Sequence, residues 1–346
     1  MNMPEADEDR RLCASPAQGR ADCAPEQDLT PRMRELLQRI ARAGQIPLHR
    51  LSPAQARAAY ARMAQVLDFP PAPLPLCDTL DCPSRDGVRL PLRRYASRAA
   101  DWQTPQPALL YLHGGGFVIG SAATHDALCR QLALRSGWMV LSLDYRLAPE
   151  HLFPTAFNDS WDALQWLHAH GGMLGADTHC LAVGGDSAGG TLAAACALAA
   201  RDATLPLALQ LLFYPGMGCS HDTLSQQRYA HGFLLERAQI DWFFGLYLRG
   251  PQDCPDWRFA PQHAVDHRSL APAWMAVAGC DPLRDEALAY AELLRQSGVQ
   301  VTAAEWPGVT HDFLKLSRAL PEATQAVDAA ALALRAAALQ AGAVSA

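Results

Sequence analysis

Lysine is scarce in this chain of 346 residues, which contains only Lys315. Lysine and arginine together number 29 against 35 acidic residues, so the formal net charge is −6. A chain without a basic run lacks the electrostatic footprint that nucleic acids and anionic membranes attract. One lysine also excludes a Gly-Lys-Ser/Thr phosphate loop and leaves almost no candidate for Schiff-base chemistry. We therefore expect no nucleic-acid partner.

Two further features are missing: a membrane-length apolar run and a paired cysteine motif. No apolar stretch approaches the roughly 20 residues of a membrane helix. The first residues, MNMPEADEDRRLC, are acidic where a secretory signal is basic and then apolar. The ten cysteines form neither a CxxC pair nor a Cys/His zinc pattern. We expect a cytoplasmic protein without a membrane span, with reduced thiols and without a metal.

The order of apolar and helical segments predicts an α/β protein. From Pro107 onward, short apolar runs alternate with helical stretches, which is typical of a mainly parallel sheet covered on both faces. A turn at Asp86-Gly87 predicts a hairpin. The predicted strands are residues 88–96, 108–113, 139–145, 180–185, 207–215, 273–279 and 299–306. The predicted helices in this part are residues 124–136, 155–170, 188–201, 283–297 and about 322–341.

The segments outside this alternation predict a leader and a lid. Two helical patterns, 33–44 and 52–67, precede a proline-rich segment, 68–79, that we interpret as an extended linker. The interval 217–270 is long for a connection and contains the aromatic sequence HGFLLERAQIDWFFGLYL. Together with the N-terminal helices it would cover the sheet's carboxyl edge. The predicted division is a mobile leader over 1–28, a cap over 29–75, a core over 76–216, a cap insertion over 217–265 and a core over 266–346.

The most specific chemistry lies in Gly185-Asp186-Ser187-Ala188-Gly189, a G-x-S-x-G motif between a predicted strand and an Ala-rich helix. At such a turn the serine hydroxyl stands above the sheet, and the glycines permit close backbone approach. The helix N-terminus behind it favours developing negative charge. Alone, the motif is also compatible with a small-residue turn that includes a serine. In this context it predicts that Ser187 is a nucleophile.

A second motif, His113-Gly114-Gly115-Gly116, ends the strand at 108–113. Acyl transfer needs amide donors for the charge that builds on the carbonyl oxygen, and successive glycines expose such amides. We predict Gly114, Gly115 and Ala188 as the oxyanion donors. For His113 we favour a structural role that braces the loop.

A serine nucleophile needs a base, and the base needs an acid that orients it. In hydrolases of this architecture the acid and the histidine follow late strands, in that order. Asp281 follows the predicted strand 273–279, and His311 follows the last predicted strand. Both would lie on the sheet edge that carries Ser187. We predict His311 as the base and Asp281 as the orienting acid.

Three other carboxylates fit this role less well. Asp285 lies one turn into the next helix, where a surface or capping role is expected. Asp186 is adjacent to the serine and cannot reach across the imidazole. Asp312 is the neighbour of His311 and cannot easily reach its Nδ1 atom. The negative charge of Asp312 would raise the basicity of His311, or the side chain would simply face solvent.

Five motifs in order resemble the hormone-sensitive-lipase-like family of α/β-hydrolases, also called family IV esterases. They are HGGG, DYRLAPEH with a following Phe-Pro, GDSAGG, DPLRDE and HDF, spread over about residues 107–315. The resemblance implies an eight-stranded α/β-hydrolase core with a helical cap from the N-terminus and a mid-chain insertion. It also implies hydrolysis of short- to medium-chain acyl esters without a cofactor, and it assigns nucleophile, acid and base to Ser187, Asp281 and His311. Many members have Gly where this chain has Asp312, and in them the YRLAPE segment is mainly architectural.

Other functions stay open at this point. An amidase, a lactonase or an acyltransferase would use the same triad, whereas a non-catalytic small-molecule receptor on this fold would be expected to lack a triad member. Phe233 and Trp242 would contact a small ester substrate if the aromatic segment faces the site, or would only pack the cap on the core. The Ala-rich final helix would pair two subunits in a homodimer or merely cover the sheet.

Overall fold

A single eight-stranded sheet organises the part of the chain that the computed structural model describes, residues 24–101, 103–219 and 222–344. Its strands are β1 (Leu76–Pro83), β2 (Arg89–Ala96), β3 (Gln106–Leu112), β4 (Met139–Leu143), β5 (Ala176–Asp186), β6 (Leu209–Phe213), β7 (Ala273–Cys280) and β8 (Val301–Thr310). The α-helices are α1 (Pro31–Arg42), α2 (Pro53–Leu67), α3 (Asp126–Ser136), α4 (Thr155–His170), α5 (Ala188–Asp202), α6 (Leu224–Arg228), α7 (Arg237–Tyr247), α8 (Arg284–Gln296) and α9 (Pro321–Val344). The α/β-hydrolase fold predicted from the sequence is confirmed.

The strand order places the predicted site on one edge of the sheet. Across the sheet the strands run β1-β2-β4-β3-β5-β6-β7-β8. Strand β2 is antiparallel to both of its neighbours, β1 and β4. The remaining six strands, β3 to β8, are mutually parallel. Parallel strands bring their carboxyl ends to the same edge, where α/β proteins bind their ligands. The segments that follow β3, β5, β7 and β8 therefore meet there.

Two hydrophobic cores lie on opposite faces of the sheet because successive strand residues point to opposite sides. In β3, Ala108, Leu110 and Leu112 belong to one core, and Leu109 and Tyr111 belong to the other. Helices α4, α5 and α8 contribute to the first core, and α3 and α9 contribute to the second. Burial on both faces explains why the central strands are continuous apolar runs rather than alternating ones.

The N-terminal helices and α7 approach the carboxyl edge of the sheet from outside. Helix α2 begins with a capping box in which the side chains of Ser52 and Gln55 each bond the other's backbone amide. Residues of α1, α2 and α7 line a cavity that also contains Ser187. This is the place in which the sequence predicts a cap, and the predicted domain boundaries stay a prediction. Residues 1–23 of the predicted leader lie outside the described residues, and Pro25–Asp28 form a 3-10 turn.

The predicted linker over 68–79 is wrong at its end, because β1 already begins at Leu76. Among the described residues, β1 pairs with β2 alone and is an edge strand, and edge strands tolerate nearby proline because one side needs no backbone donor. The hairpin that joins them turns at Asp86-Gly87, as predicted. Gly87 has φ +83°, a conformation that favours glycine.

Helix α9 corrects the expectation that no segment has the composition of a membrane helix. By length and composition alone, Pro321–Ala343 is apolar enough to cross a membrane. One face of the helix is buried in the second core through residues that include Ala323, Val327 and Leu334. Core helices of globular proteins pass the same test, so one such helix is weak evidence for a span.

Candidate active site

Ser187 occupies the turn between β5 and α5 in an unusual backbone conformation, with φ 55° and ψ −123°. A non-glycine residue held in such a region is strained, and this strain is typical of the turn that lifts a nucleophile above a sheet. The flanking glycines make the turn possible. A Cβ atom at Gly185 or Gly189 would lie 2.3 Å or 1.9 Å from the carbonyl oxygen of Leu112. The motif therefore has the strand-turn-helix context that the sequence predicts.

The three residues predicted as a triad lie in hydrogen-bond contact. The Nε2 atom of His311 is 2.9 Å from the Oγ atom of Ser187, and its Nδ1 atom is 2.6 Å from Oδ2 of Asp281. The other carboxylate oxygen of Asp281 accepts a hydrogen bond from the amide of Leu283 at 2.9 Å. Both Asp281 and His311 are buried. This arrangement can move a proton from the hydroxyl to the imidazole while the carboxylate holds the ring in one orientation.

The electrostatic surroundings of His311 favour its protonated form. Burial by itself opposes the charged imidazolium, but the charge of Asp281 and its hydrogen bond outweigh burial. The charges of Asp312 and Asp186 act in the same direction. Together these groups raise the pKa of His311 above its ordinary value. A base with a raised pKa binds the proton of a serine more strongly when the hydroxyl attacks.

The predicted set of oxyanion donors needs one correction. The amide of Gly114 donates a hydrogen bond to Oδ1 of Asp186 at 3.1 Å and so is already engaged. The next two glycines, Gly115 and Gly116, line the cavity that contains Ser187. Within the described residues, neither of their amides donates to another group. Gly115 thus stays a candidate together with Ala188, and Gly116 replaces Gly114.

The physical reason for this correction is the backbone of the glycine loop. Gly115 and Gly116 have φ +122° and +58°. A Cβ atom at Gly115 would lie 2.2 Å from the carbonyl oxygen of Ile119. Three identical letters in a row cannot show which amides turn inward, because that depends on the φ and ψ of each residue. The sequence signal for Gly116 was only its place in the motif.

Asp186 connects the glycine loop to the nucleophile turn. Besides the amide of Gly114, its Oδ1 atom accepts the hydroxyl of Tyr111 at 2.7 Å, and its Oδ2 atom lies 3.2 Å from Nε2 of His125. Burial would raise the pKa of Asp186, but the charge and hydrogen bond of His125 and the hydroxyl of Tyr111 lower it to about 2. Asp186 is therefore an ionised, fully buried anchor. Sequence reasoning missed His125, since nothing in the pattern links it to Asp186.

His113 has the structural role that the sequence favours. Its Nδ1 atom lies 2.9 Å from the carbonyl oxygen of Gly114, and its ring stacks on Tyr145 at 4.2 Å between centroids. Burial, followed by the nearby His125, lowers the pKa of His113 to about 3. The ring is therefore neutral at physiological pH. These contacts brace the glycine loop.

A cavity of about 330 Å³ opens between the cap segments and the triad. Ser187 and His311 lie on its wall. Most of the lining is apolar and includes Leu37, Ile40, Ile46, Leu48, Met63, Leu234, Leu235 and Phe243. The polar lining residues include Gln45, His49, Tyr60, Glu236, Gln239 and Asp312. A small apolar molecule with one reactive polar group fits a cavity of this kind.

The two aromatic residues predicted to contact substrate do not line this cavity. Phe233 is buried and packs on Tyr229 with 5.0 Å between ring centroids, and Trp242 is only partly buried outside the lining. Phe243 lines the cavity instead, and a Cβ atom at Gly116 would lie 2.3 Å from its ring. Helix geometry explains the difference between Trp242 and Phe243. Adjacent residues of α7 are about 100° apart around the helix axis, so only one of these two side chains faces the cavity.

Asp312 and Asp285 behave differently from each other. Asp312 lines the cavity, and its charge raises the pKa of His311. Of the two alternatives from the sequence, an effect on His311 rather than a side chain that simply faces solvent agrees with this position. Asp285 lies outside the site, where its Oδ2 atom accepts the amide of Ser225 at 2.8 Å near the start of α6. Of the surface and capping roles expected from the sequence, this contact fits the capping role.

A metal centre finds no support in the part of the chain that the structure describes. No group of three or more His, Cys, Asp or Glu side chains is placed to hold an ion there. The cysteines of that part are free thiols, namely Cys77, Cys82, Cys129, Cys180, Cys196, Cys219, Cys254 and Cys280. Cys13 and Cys23 lie outside the described residues.

Comparison with known proteins agrees with the fold and with the sequence motifs. The sequence profile of the α/β-hydrolase fold family matches residues 109–315, which is more than half of the chain. The chain belongs to this family. The matching relatives confirm the resemblance to its hormone-sensitive-lipase-like branch, and the enzyme class is that of carboxylic ester hydrolases.

Among these relatives, an ethyl acetate hydrolase of Pseudomonas putida is 41% identical over 282 residues, 81% of this chain and 89% of that protein. The carboxylic ester hydrolase LipN of Mycobacterium tuberculosis is 40% identical over 269 residues, 75% of this chain and 70% of that protein.

Solved structures of family members superimpose closely. An ester hydrolase from the metagenome of Lake Arreo, in complex with a derivative of bipyridine phosphonate, has a TM-score of 0.85 at 38% identity. That match covers 89% of this chain and 98% of the other. A hyperthermophilic esterase of Pyrobaculum calidifontis has a TM-score of 0.83 at 36% identity, covering 90% of this chain and 99% of the other.

Proposed function

We propose that this α/β-hydrolase is a serine carboxylesterase that cleaves short- to medium-chain acyl esters through an acyl-enzyme on Ser187. The observation that carries the proposal is the continuous line of contacts from Ser187 through His311 to Asp281, with distances of 2.9 and 2.6 Å. The line begins at the wall of a largely apolar cavity. Nucleophile, base and orienting acid are the parts that acyl transfer requires.

In the proposed first half-reaction, the Oγ atom of Ser187 attacks the ester carbonyl while Nε2 of His311 takes its proton. The amides of Gly115, Gly116 and Ala188 hold the negative oxygen of the tetrahedral intermediate. The intermediate collapses as His311 gives its proton to the departing alcohol. The carboxylate of Asp281 stabilises the imidazolium that exists in between.

In the second half-reaction, water takes the place of the alcohol. His311 removes a proton from the water molecule, which attacks the acyl-serine carbonyl. The second tetrahedral intermediate collapses, the acid product leaves and the Oγ atom regains its proton. No cofactor takes part in this sequence, since all of its proton transfers run through His311.

The apolar lining and limited volume of the cavity support the preference for short to medium chains. We propose initial rates on p-nitrophenyl esters from acetate to palmitate as the test, with Ser187→Ala as the blank. Wild-type rates should be highest below about ten acyl carbons, and the variant should lose on the order of 10⁴–10⁶-fold in kcat. Comparable activity of the variant would refute the assignment of Ser187.

The comparison of an ester with the amide of the same acid separates an esterase from an amidase. An esterase should strongly prefer the ester, and activity on the amide alone would contradict the proposal. A homodimer through α9 and a cytoplasmic location also stay proposals. Exposed Leu332 and Leu339 on α9 support the first, and light scattering of the purified chain tests it.

A further inference from the structure

Asp312 places a carboxylate beside the proposed base, inside the substrate cavity. It follows His311 directly and lines the same cavity as Ser187. Its φ of +63° lies in the left-handed region, and aspartate is among the residues that tolerate this conformation. Asp312 thus differs from Asp281, which faces the far side of the imidazole and lies outside the cavity lining.

Two tyrosines hold this carboxylate in place. The hydroxyl of Tyr60, on cap helix α2, donates to Oδ2 of Asp312 at 3.2 Å. The hydroxyl of Tyr214, directly after β6, donates to Oδ1 at 3.5 Å. The ring of Tyr214 also packs against His311 with 4.8 Å between centroids. Neither tyrosine supplies a positive charge, so both fix the carboxylate without neutralising it.

The nearest cations do not cancel this charge completely. Lys315 is buried one turn further along, but its ammonium group is already paired with Asp68. His311 is shared with Asp281. Asp186 adds a further negative charge from below, and burial together with Asp186 raises the pKa of Asp312 above its ordinary value. Because higher pH favours the ionised carboxylate, the charge of Asp312 is tested at pH 8.

Apart from its histidines, the charged side chains on the described part of the cavity wall are all acidic. Among the described residues, its lining contains the carboxylates of Asp312 and Glu236 but neither lysine nor arginine. Charges interact strongly across a cavity whose walls are mostly apolar, because few polar groups screen them. These carboxylates would repel a substrate that carries a negative charge near Ser187 and would attract one that carries a positive charge there.

We propose that Asp312 is a specificity-determining residue through which the cavity selects esters with neutral or cationic groups near the scissile bond and rejects those with anionic ones. The proposal rests on the proposed ester hydrolysis at Ser187. It has a consequence for the product. The acid product ionises at the pH of the assay, so the same repulsion weakens the binding of its anion and limits product inhibition.

Matched substrates test this inference. The p-nitrophenyl esters of butyric acid, of glutaric acid with its second carboxylate free, and of 4-(trimethylammonio)butyric acid differ mainly in charge. For each variant, kcat/KM for a charged ester is divided by kcat/KM for the butyrate ester, both measured at pH 8 and low salt. These ratios are then compared between variants. Asp312→Asn should raise the anionic-to-neutral ratio by about 10-fold and lower the cationic-to-neutral ratio. The inhibition constant of free butyrate should decrease in the same variant.

Three further variants separate charge from geometry. Tyr60→Phe removes a hydrogen bond but leaves the carboxylate, so its ratios should stay within about twofold of wild type. Asp202→Asn makes the same chemical change on the exposed surface and should have no effect on the ratios. Asp312→Gly repeats the loss of charge with the residue that best tolerates positive φ, in case the asparagine variant does not fold.

The outcomes are distinct. Unchanged ratios in a folded Asp312→Asn or Asp312→Gly variant overturn the inference. Equal changes in Tyr60→Phe show that geometry rather than charge decides, and also overturn it. A wild-type enzyme that hydrolyses none of the three esters contradicts the proposed function itself, which is a different result from hydrolysis without charge selection.

Discussion

Two buried His–Asp pairs lie near the carboxyl edge of the sheet, and they differ in what the histidine faces. In the pair His311–Asp281, the second ring nitrogen faces Ser187 at 2.9 Å. In the pair His125–Asp186, the second ring nitrogen lies 2.9 Å from the Thr124 hydroxyl. The side chains of His125 and Asp186 are completely buried.

The difference shows that burial and pairing alone do not make a catalytic pair. Both nitrogens of His125 are engaged by fixed protein groups, so this ring has no substrate or nucleophile with which to exchange a proton. His311 has one nitrogen that faces a mobile hydroxyl on a cavity wall. The pair His311–Asp281 can therefore move protons, whereas the pair His125–Asp186 can only hold structure.

The strongest test of this difference is to neutralise Asp281, the acid of the pair whose histidine faces the cavity. Asp281→Asn should lower kcat by about 10³–10⁴-fold, because the imidazolium loses its counter-charge and the ring loses its correct tautomer. The measurement is steady-state kinetics on p-nitrophenyl butyrate with the active sites titrated by a phosphonate. Asp285→Asn, four residues further along in the first turn of α8 but facing Ser225, is the matched control, and its kcat should stay within a few-fold of wild type. A loss of less than tenfold in Asp281→Asn would contradict the assigned role.

The corresponding change in the second pair should have a smaller and different effect. Asp186→Ala removes the acceptor of the Gly114 amide, so the glycine loop loses its anchor and kcat should decrease by about 10–10²-fold with little change in KM. Asp186→Asn keeps an oxygen that accepts this amide and should recover most of the rate.

A purely structural defect would reduce the fraction of active sites instead. Phosphonate titration counts these sites independently of the rate per site. Equal losses in the alanine and asparagine variants would show that the charge of Asp186, rather than its acceptor oxygen, is what matters.

Sequence alone predicted the parts of the site that strand ends determine. Ser187, Asp281 and His311 each follow a parallel strand, and the topology of the sheet brings such positions together. It did not predict which glycine amides face the cavity, because backbone torsions rather than composition decide this. It left open whether Trp242 contacts substrate or only packs the cap, and Phe243 lines the cavity instead, since an aromatic run conceals the phase of its helix.

The smallest expected effect concerns the acid limb of the pH profile. Only neutral His311 can accept the serine proton, so kcat/KM should rise with pH through the pKa of His311 in the free enzyme. Burial lowers this pKa, whereas the charges of Asp281, Asp312 and Asp186 raise it above the ordinary value. Removal of one of these negative charges must therefore shift the limb to lower pH.

Asp312→Asn removes one of these negative charges, that of the residue next to His311 in the sequence. Asparagine can keep the hydrogen bonds with Tyr60 and Tyr214 but carries no charge, so the acid limb for p-nitrophenyl butyrate should move to lower pH while Asp202→Asn leaves it in place. A neutral substrate excludes titration of the substrate as the cause. If the limb of the variant moved to higher pH or did not move, the charge of Asp312 would not act on His311, and its place on the cavity wall would have to be explained by packing alone.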